Sequence, residues 1–527
     1  MSDTIQDFIE TAVAQLKLLE RAYYLGDWEA ATSGTPEANQ RMREAQSAYI
    51  RFLADPARHQ TAKQMHQSGA AANPLVARQI KLLYLLTAAQ QQDAATTEAL
   101  TALEADVRDR YYNFRGVVGG RKLSDNELDD ILGKTHDSAL AQEAWEASKQ
   151  VGAQVADAVR QLARLRNAAA RKQGFRDFFQ QSLTVNEIDE GELLSLFERL
   201  DAATREPFAV LKREIDAARS EHFDIAPEQL RPWHFGDRFF QSPPDTGEVE
   251  MDSLFADHDP VELALKTYDG LGMDVRDILA RSDLYAREGK NQHAFCTDID
   301  REGDIRTLDN LRPNHRWTET LLHELGHGVY NKHVDASLPW LLRQYPHLLS
   351  TEAIAITMGG LTYDREWLEQ VLGIPAAEAA RVAKAARAQE RALRLIFTRW
   401  CLVMTHFERA LYGDPEQDLD RVWWDLVKRH QLLTPPDGRA APDWAAKIHV
   451  ALVPVYYHNY ELGTLVTAQL QHMLRRQVGG IVGRKQVGQW LMERFFKPGA
   501  REDWSGHIKT ATGEPLNPQY FVDALRG

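Results

Sequence analysis

The stretch that decides the reading is Thr320-Leu321-Leu322-His323-Glu324-Leu325-Gly326-His327-Gly328-Val329-Tyr330. It holds H-E-x-x-H inside an apolar run of helical character. Histidines four apart lie on one helix face, where both imidazoles can reach the same tetrahedral Zn²⁺. Glu324, beside His323, is placed to accept a proton from a water held there. Leu321, Leu322, Leu325 and Val329 predict a buried helix, and a polar stripe in a buried helix needs compensation. The bland alternative is a helix whose histidines are satisfied by hydrogen bonds alone.

A catalytic zinc site takes a third protein ligand and leaves one position open. Glu352 lies near the start of an otherwise apolar helical segment, Ser350-Thr351-Glu352-Ala353-Ile354-Ala355-Ile356, where an isolated carboxylate is costly without a cation. The other candidate is His333, where metzincins carry a third histidine after a glycine turn. Tyr330 occupies that glycine's place, which favours Glu352.

Outward from this cluster the chain reads as mostly α-helical. Phe8 to Tyr24 carries apolar residues near the 3.6-residue period, and Ala139–Lys172, Glu192–His222 and Ala376–Leu411 are long stretches of strong helix propensity. Pro207 predicts a kink or a helix start within the second of these. A loop is expected over Phe240-Gln241-Ser242-Pro243-Pro244-Asp245-Thr246-Gly247. The one strand-like region runs from His293 to Leu308, with a turn at Arg301-Glu302-Gly303-Asp304, and predicts a small hairpin just before the metal motif. Further on, Lys447, His449, Tyr456, Tyr457 and Tyr460 form a second polar cluster. Tyr457 and Tyr460 share a face if that segment is helical. Phenols and imidazoles can stabilise an oxyanion, and Lys447 can hold a carboxylate. Taken alone, the same residues also fit an aromatic core with a solvated lysine.

Composition narrows the class. The chain has 527 residues with 62 Lys+Arg against 76 Asp+Glu, a formal charge of −14 that argues against nucleic acid as a partner. Two cysteines, Cys296 and Cys401, exclude a disulfide framework and a cysteine-rich zinc ribbon. Acidic residues stand at Asp3 and Asp7, where a secretory signal would carry Lys or Arg, and no apolar run is long enough to span a membrane. A cytoplasmic location and no membrane partner are the expectation.

These residues resemble the angiotensin-converting-enzyme family of zinc peptidyl-dipeptidases, with likeness to the thimet-oligopeptidase and oligopeptidase F families. The likeness runs from Trp28 and Ala144-Trp145-Glu146 to Phe495-Phe496-Lys497-Pro498. It is carried by His293-Ala294, the zinc helix, the Glu352 segment, Trp423-Trp424 and the Lys447–Tyr460 block. The resemblance implies one zinc per chain on His323, His327 and Glu352, with Glu324 as general base. It implies that Lys447 and Tyr457 hold the C-terminal carboxylate of a short peptide, that His449 and Tyr460 stabilise the tetrahedral intermediate, and that the His293-Ala294 strand pairs with the peptide backbone. The implied fold is a single domain over residues 1–527, a large helical ellipsoid of two lobes around a deep cleft, with helices of about residues 1–130 as a lid and the hairpin beside the zinc. The implied reaction is dipeptide release. An endo-acting oligopeptidase is the alternative, and a non-catalytic helical binding protein a remote one. Monomer and homodimer stay open.

The sequence also departs from that family. The His449–Tyr457 interval is one residue longer, which leaves Tyr456 and Tyr457 both open for the carboxylate role. Asn459 and Val427 stand where animal members carry chloride-binding arginines, and Ile356 replaces an aspartate that supports the zinc ligands. The family's glutamine contact to the substrate carboxylate has no assigned position.

Overall fold

The computed structural model describes residues 2–244 and 251–526. Helices dominate, and among the described residues the β structure amounts to two small antiparallel pairs. Asp245, Thr246 and Gly247 of the expected loop lie outside the described residues, while residues 241–244 are non-helical as expected. The long helices run over Ser2–Ser33, Ser138–Lys172, Glu190–Phe223 and Ala376–Gly413. Capping fixes several starts: Asp137 accepts the backbone N–H groups of Ala139 and Leu140, and Asp189 accepts that of Glu192. Pro207 lies inside the Glu190–Phe223 helix, so it starts no new helix. Among the described residues, no helix is long and apolar enough to cross a membrane.

Contacts divide the chain into two compact units, each built from separate stretches of sequence. The first comprises residues 1–91, 249–386 and 462–524, and the second residues 92–248, 387–461 and 525–527. The N-terminal 130 residues are therefore shared between the units, with the division after Gln91.

In the first unit the hairpin is present, with strand Phe295–Asp298 paired to Ile305–Leu308 in the register Phe295↔Leu308 and Asp298↔Ile305. It begins two residues later than the sequence suggested, since His293 and Ala294 precede the strand. The hairpin turn is tied to the N-terminal helix by a two-pronged, almost fully buried ion pair, Arg301 Nε and Nη2 to the Glu20 carboxylate at 2.6 and 2.9 Å. The strands pack on the helix His315–Lys332, which carries the H-E-x-x-H motif. Asn314 caps that helix by accepting the N–H of Trp317. Its apolar residues Leu321, Leu322, Leu325 and Val329 are completely buried.

The same helix packs on Leu348–Gly360, which carries Glu352. A Cβ at Gly326 would stand 2.8 Å from the Cα of Ala355, and one at Gly359 would stand 3.4 Å from the Cβ of His323. The two helix backbones can approach this closely because glycine stands at both crossings.

In the second unit lies a hairpin that periodicity did not reveal, Gly116–Val118 with Arg121–Leu123. Its turn is Gly119-Gly120, both at positive φ (57° and 76°), as a tight two-residue hairpin turn requires. The Gly-Gly pair was the available signal, and strands of three residues are too short to show alternation.

Replacing Gly326 by alanine is expected to cost about 1–3 kcal/mol and to lower metal content, because the zinc helix must shift away from Ala355. Thermal unfolding and metal stoichiometry of Gly326→Ala check this. An unchanged melting temperature with full metal content contradicts the close-approach argument.

Candidate metal centre

In the first unit, His323, His327 and Glu352 converge. Each offers a ligand atom, and these atoms all lie within 4.8 Å of one another. Nε2 of His323 is 3.7 Å from one Glu352 oxygen, and Nε2 of His327 is 3.9 Å from the other. The two imidazoles meet edge to face, with ring centroids 5.0 Å apart. Burial holds His323 down at about 4 and His327 at about 3, with the neighbouring His323 adding to the effect on His327. Both rings are thus neutral near pH 7. These contacts are therefore not ion pairs but lone pairs and a carboxylate aimed at a common point.

The group fits zinc. Ligand atoms about 2.1 Å from a tetrahedral ion stand ~3.4 Å apart, and the two imidazole–carboxylate separations of 3.7 and 3.9 Å are a few tenths of an ångström wider. His327 Nδ1 is 2.7 Å from the Thr351 hydroxyl, which fixes the ring and leaves Nε2 facing the other ligands. Thr351 immediately precedes Glu352, so one helical turn provides both a ligand and the support of another. The sequence had left that support unassigned once Ile356 replaced the family's aspartate. Glu352 is pushed above its ordinary value by burial, which a bound cation would reverse.

His333, the competing third ligand, caps the C-terminal end of the zinc helix. Its ring stacks on Phe496, and it does not belong to the converging group.

Glu324 is 7% exposed. Burial pushes its carboxyl up to about 8, with the nearby Asp309 and Glu352 adding to the rise and the backbone N–H of Cys296 opposing it. The hydrogen bond to Cys296 places Glu324 against the strand Phe295–Asp298 of the hairpin. His293 is exposed just upstream of that strand.

The second unit brings together the other predicted residues. The short helix Ile448–Leu452 carries His449, and the helix Tyr457–Val478 starts with Tyr457 and carries Tyr460. Lys447 is 8% exposed, and its Nζ donates to Gln241 Oε1 at 2.9 Å. The ammonium also lies over the rings of Phe239, Trp400 and Tyr457, at 5.2, 5.4 and 5.6 Å from their centroids. Burial pushes it down to about 8, with the Asp237 carboxylate partly offsetting the fall.

Gln241 is held by its own loop. Asp237 accepts the backbone N–H groups of Phe239, Gln241 and Ser242 at 2.7, 3.0 and 3.1 Å, and the Ser242 hydroxyl at 2.9 Å. Sequence reading had placed Gln241 only in a loop. Nothing short of the folded chain links it to a lysine some 200 positions away.

Tyr457 is 3% exposed and Tyr460 41%. Their rings are 5.4 Å apart, and the His449 ring is 5.0 Å from that of Tyr457. Tyr456 packs edge to face on Tyr460 instead. Burial, reinforced by Lys447, lowers His449 to about 4, so its imidazole is neutral.

Comparison with known proteins relates the chain to peptidases. Residues 2–201 match the family model described as Peptidase_M2, angiotensin-converting enzyme, and residues 279–527 match that of peptidase family M3. A curated relative, "Carboxypeptidase 1" of Bacillus subtilis (strain 168), is 22% identical over 261 residues, covering 44% of this chain. The match takes in 52% of that relative, so the chain spans about half the length of the curated protein.

Thr351→Val removes the hydroxyl beside His327 at nearly constant volume. Metal affinity is expected to fall about 10- to 100-fold, measured by competition with a chelator. Unchanged affinity would mean that Thr351 does not orient the ligand. The chain is thus similar to one metallopeptidase family over its N-terminal part and to another over its C-terminal part, and its buried His-His-Glu group is of a kind that suits a zinc ion.

Proposed function

We propose that the chain is a zinc-dependent peptidase that releases dipeptides from the C-termini of short peptides. The observation that carries the reading is the convergence of His323, His327 and Glu352 with the buried Glu324 beside them. Zinc, when bound, would supply a Lewis acid and lower the pKa of a water to about 7. Glu324 takes the proton of the attacking water and passes it to the leaving amine. Burial raises Glu324, and the charge of a bound cation would lower it again toward the ionised form that accepts a proton.

Tyr460 and the neutral imidazole of His449 act as the donors for the oxyanion. The edge strand that follows His293-Ala294 pairs with the peptide backbone, as open strand edges do. Lys447, Gln241 and Tyr457 bind the substrate's C-terminal carboxylate. A lysine buried among aromatic rings and depressed in pKa is short of an anionic partner, and a carboxylate supplies one. Tyr457 is preferred to Tyr456 for this role, because its ring adjoins the Lys447 ammonium. An endo-acting oligopeptidase is the competing reading, and the family M3 match over residues 279–527 is what favours it. The free thiols of Cys296 and Cys401 support a reducing, cytoplasmic setting.

Glu324→Gln is expected to keep its metal and to lose turnover by at least about 10²-fold. Near-normal turnover in that variant rejects Glu324 as the base. Carboxylate anchoring is tested with one peptide in two forms, free acid and C-terminal amide. The wild-type chain should prefer the acid, and Lys447→Met should raise KM for the acid while leaving the amide unchanged. Equal rates on acid and amide reject dipeptide release in favour of internal cleavage.

A further inference from the structure

The connection between His449 and Tyr457 contains an unusual backbone. Val455 has φ of 54°, in the left-handed region. A β-branched residue is rarely found there, because its Cβ crowds the adjoining carbonyl. Such strain persists only where the surroundings impose it, and it gathers at functional sites. Here the surroundings are a buried acid. Glu408 is 1% exposed, and its Oε1 accepts the Val455 N–H at 2.6 Å. A buried arginine grips the same connection upstream. Arg166 Nη2 donates to the carbonyl of Ala451 at 2.7 Å, and Nη1 donates to the Tyr412 hydroxyl at 3.1 Å. Tyr412 stands one turn beyond Glu408 on the helix Ala376–Gly413.

The short connection is thus clamped at both ends. Arg166 holds the carbonyl of Ala451, in the helix that carries His449. Glu408 holds the N–H of Val455, two residues before the helix that carries Tyr457 and Tyr460. Fully burying a carboxylate is costly, and a local structural reason for this one is the amide it fixes. We infer that Glu408 is a positioning residue: by holding Val455 in its left-handed conformation it sets where Tyr457 and Tyr460 stand relative to His449. This rests on the roles proposed above for the two tyrosines and His449.

The test pairs removal of the clamp with relief of the strain it opposes. Glu408→Leu deletes the acceptor at similar volume, and kcat/KM on a free-acid peptide is expected to fall on the order of 10- to 100-fold, as misplaced catalytic groups do. Metal content should stay at one per chain. Adding Val455→Gly, which accepts positive φ without a clamp, should restore most of the loss. Glu408→Gln, which keeps an acceptor, should resemble the wild type. If the leucine variant does not fold, Glu408→Asp withdraws the acceptor by one methylene and should show the same loss and the same rescue.

Wild-type activity in the Glu408→Leu chain overturns the inference. So does a loss that Val455→Gly does not recover, because a merely destabilised core would not respond to relief at residue 455. Hydrogen exchange over residues 449–460 gives a reading independent of turnover. Faster exchange in Glu408→Leu than in Glu408→Gln supports the clamp, and equal exchange overturns it. A wild-type chain inert on all peptides would instead overturn the proposed function, and the exchange experiment would still decide the role of Glu408.

Discussion

The convergence of His323, His327 and Glu352 depends on one close approach, that of the helix His315–Lys332 to the helix Leu348–Gly360. Two imidazoles four residues apart define a line of possible ion positions, and only a third donor reaching in from another element turns that line into a point. Gly326 allows the crossing, since any side chain there would meet the Ala355 backbone. The helix that approaches brings both Glu352 and Thr351, the second of which fixes the ring of His327. On the far side of Glu352, a Cβ at Gly463 would lie 3.7 Å from its Cβ, so small residues border the ligand there as well. The apolar faces of both helices contribute the burial that keeps the histidines neutral. Packing thus determines the protonation state a metal ligand needs.

The same desolvation runs through both units, with opposite meanings for acids and bases. In the first unit it raises Glu324 and Glu352; in the second it lowers Lys447 and His449. Burial shifts each of these groups toward its uncharged form. Neutral histidines and a weakly held lysine proton cost the folded chain less than bare buried charges would. Such clustering of perturbed groups is what distinguishes these residues from ordinary core, because an aromatic core alone would not place a lysine among three rings with a glutamine as its polar partner.

Much of this was legible in the chain itself. The spacing of His323 and His327, the apolar run around them and the helical periods on either side gave the main helices to within a few residues. The hairpin before the motif was visible from alternation and a glycine turn. What escaped the reading has physical reasons. The Gly116–Leu123 hairpin is too short to show a period. Of the two readings offered for Pro207, a kink or a helix start, the continuous helix Glu190–Phe223 excludes the start. Thr351 and Gln241 were unreadable because a hydrogen-bond partner far along the chain leaves no local pattern.

The sequence alone therefore determined which residue types carry the chemistry and which of them share a helix face, because periodicity and motif spacing are local properties of the backbone. Only the folded chain decided which threonine lies against the His327 ring and that Gln241 meets Lys447. It also decided which of two adjacent tyrosines faces Lys447, and that Val455 sits in a conformation its side chain disfavours. Each of those outcomes depends on contacts between distant segments, on burial that shifts ionisation, and on glycines whose value lies in the neighbour they admit.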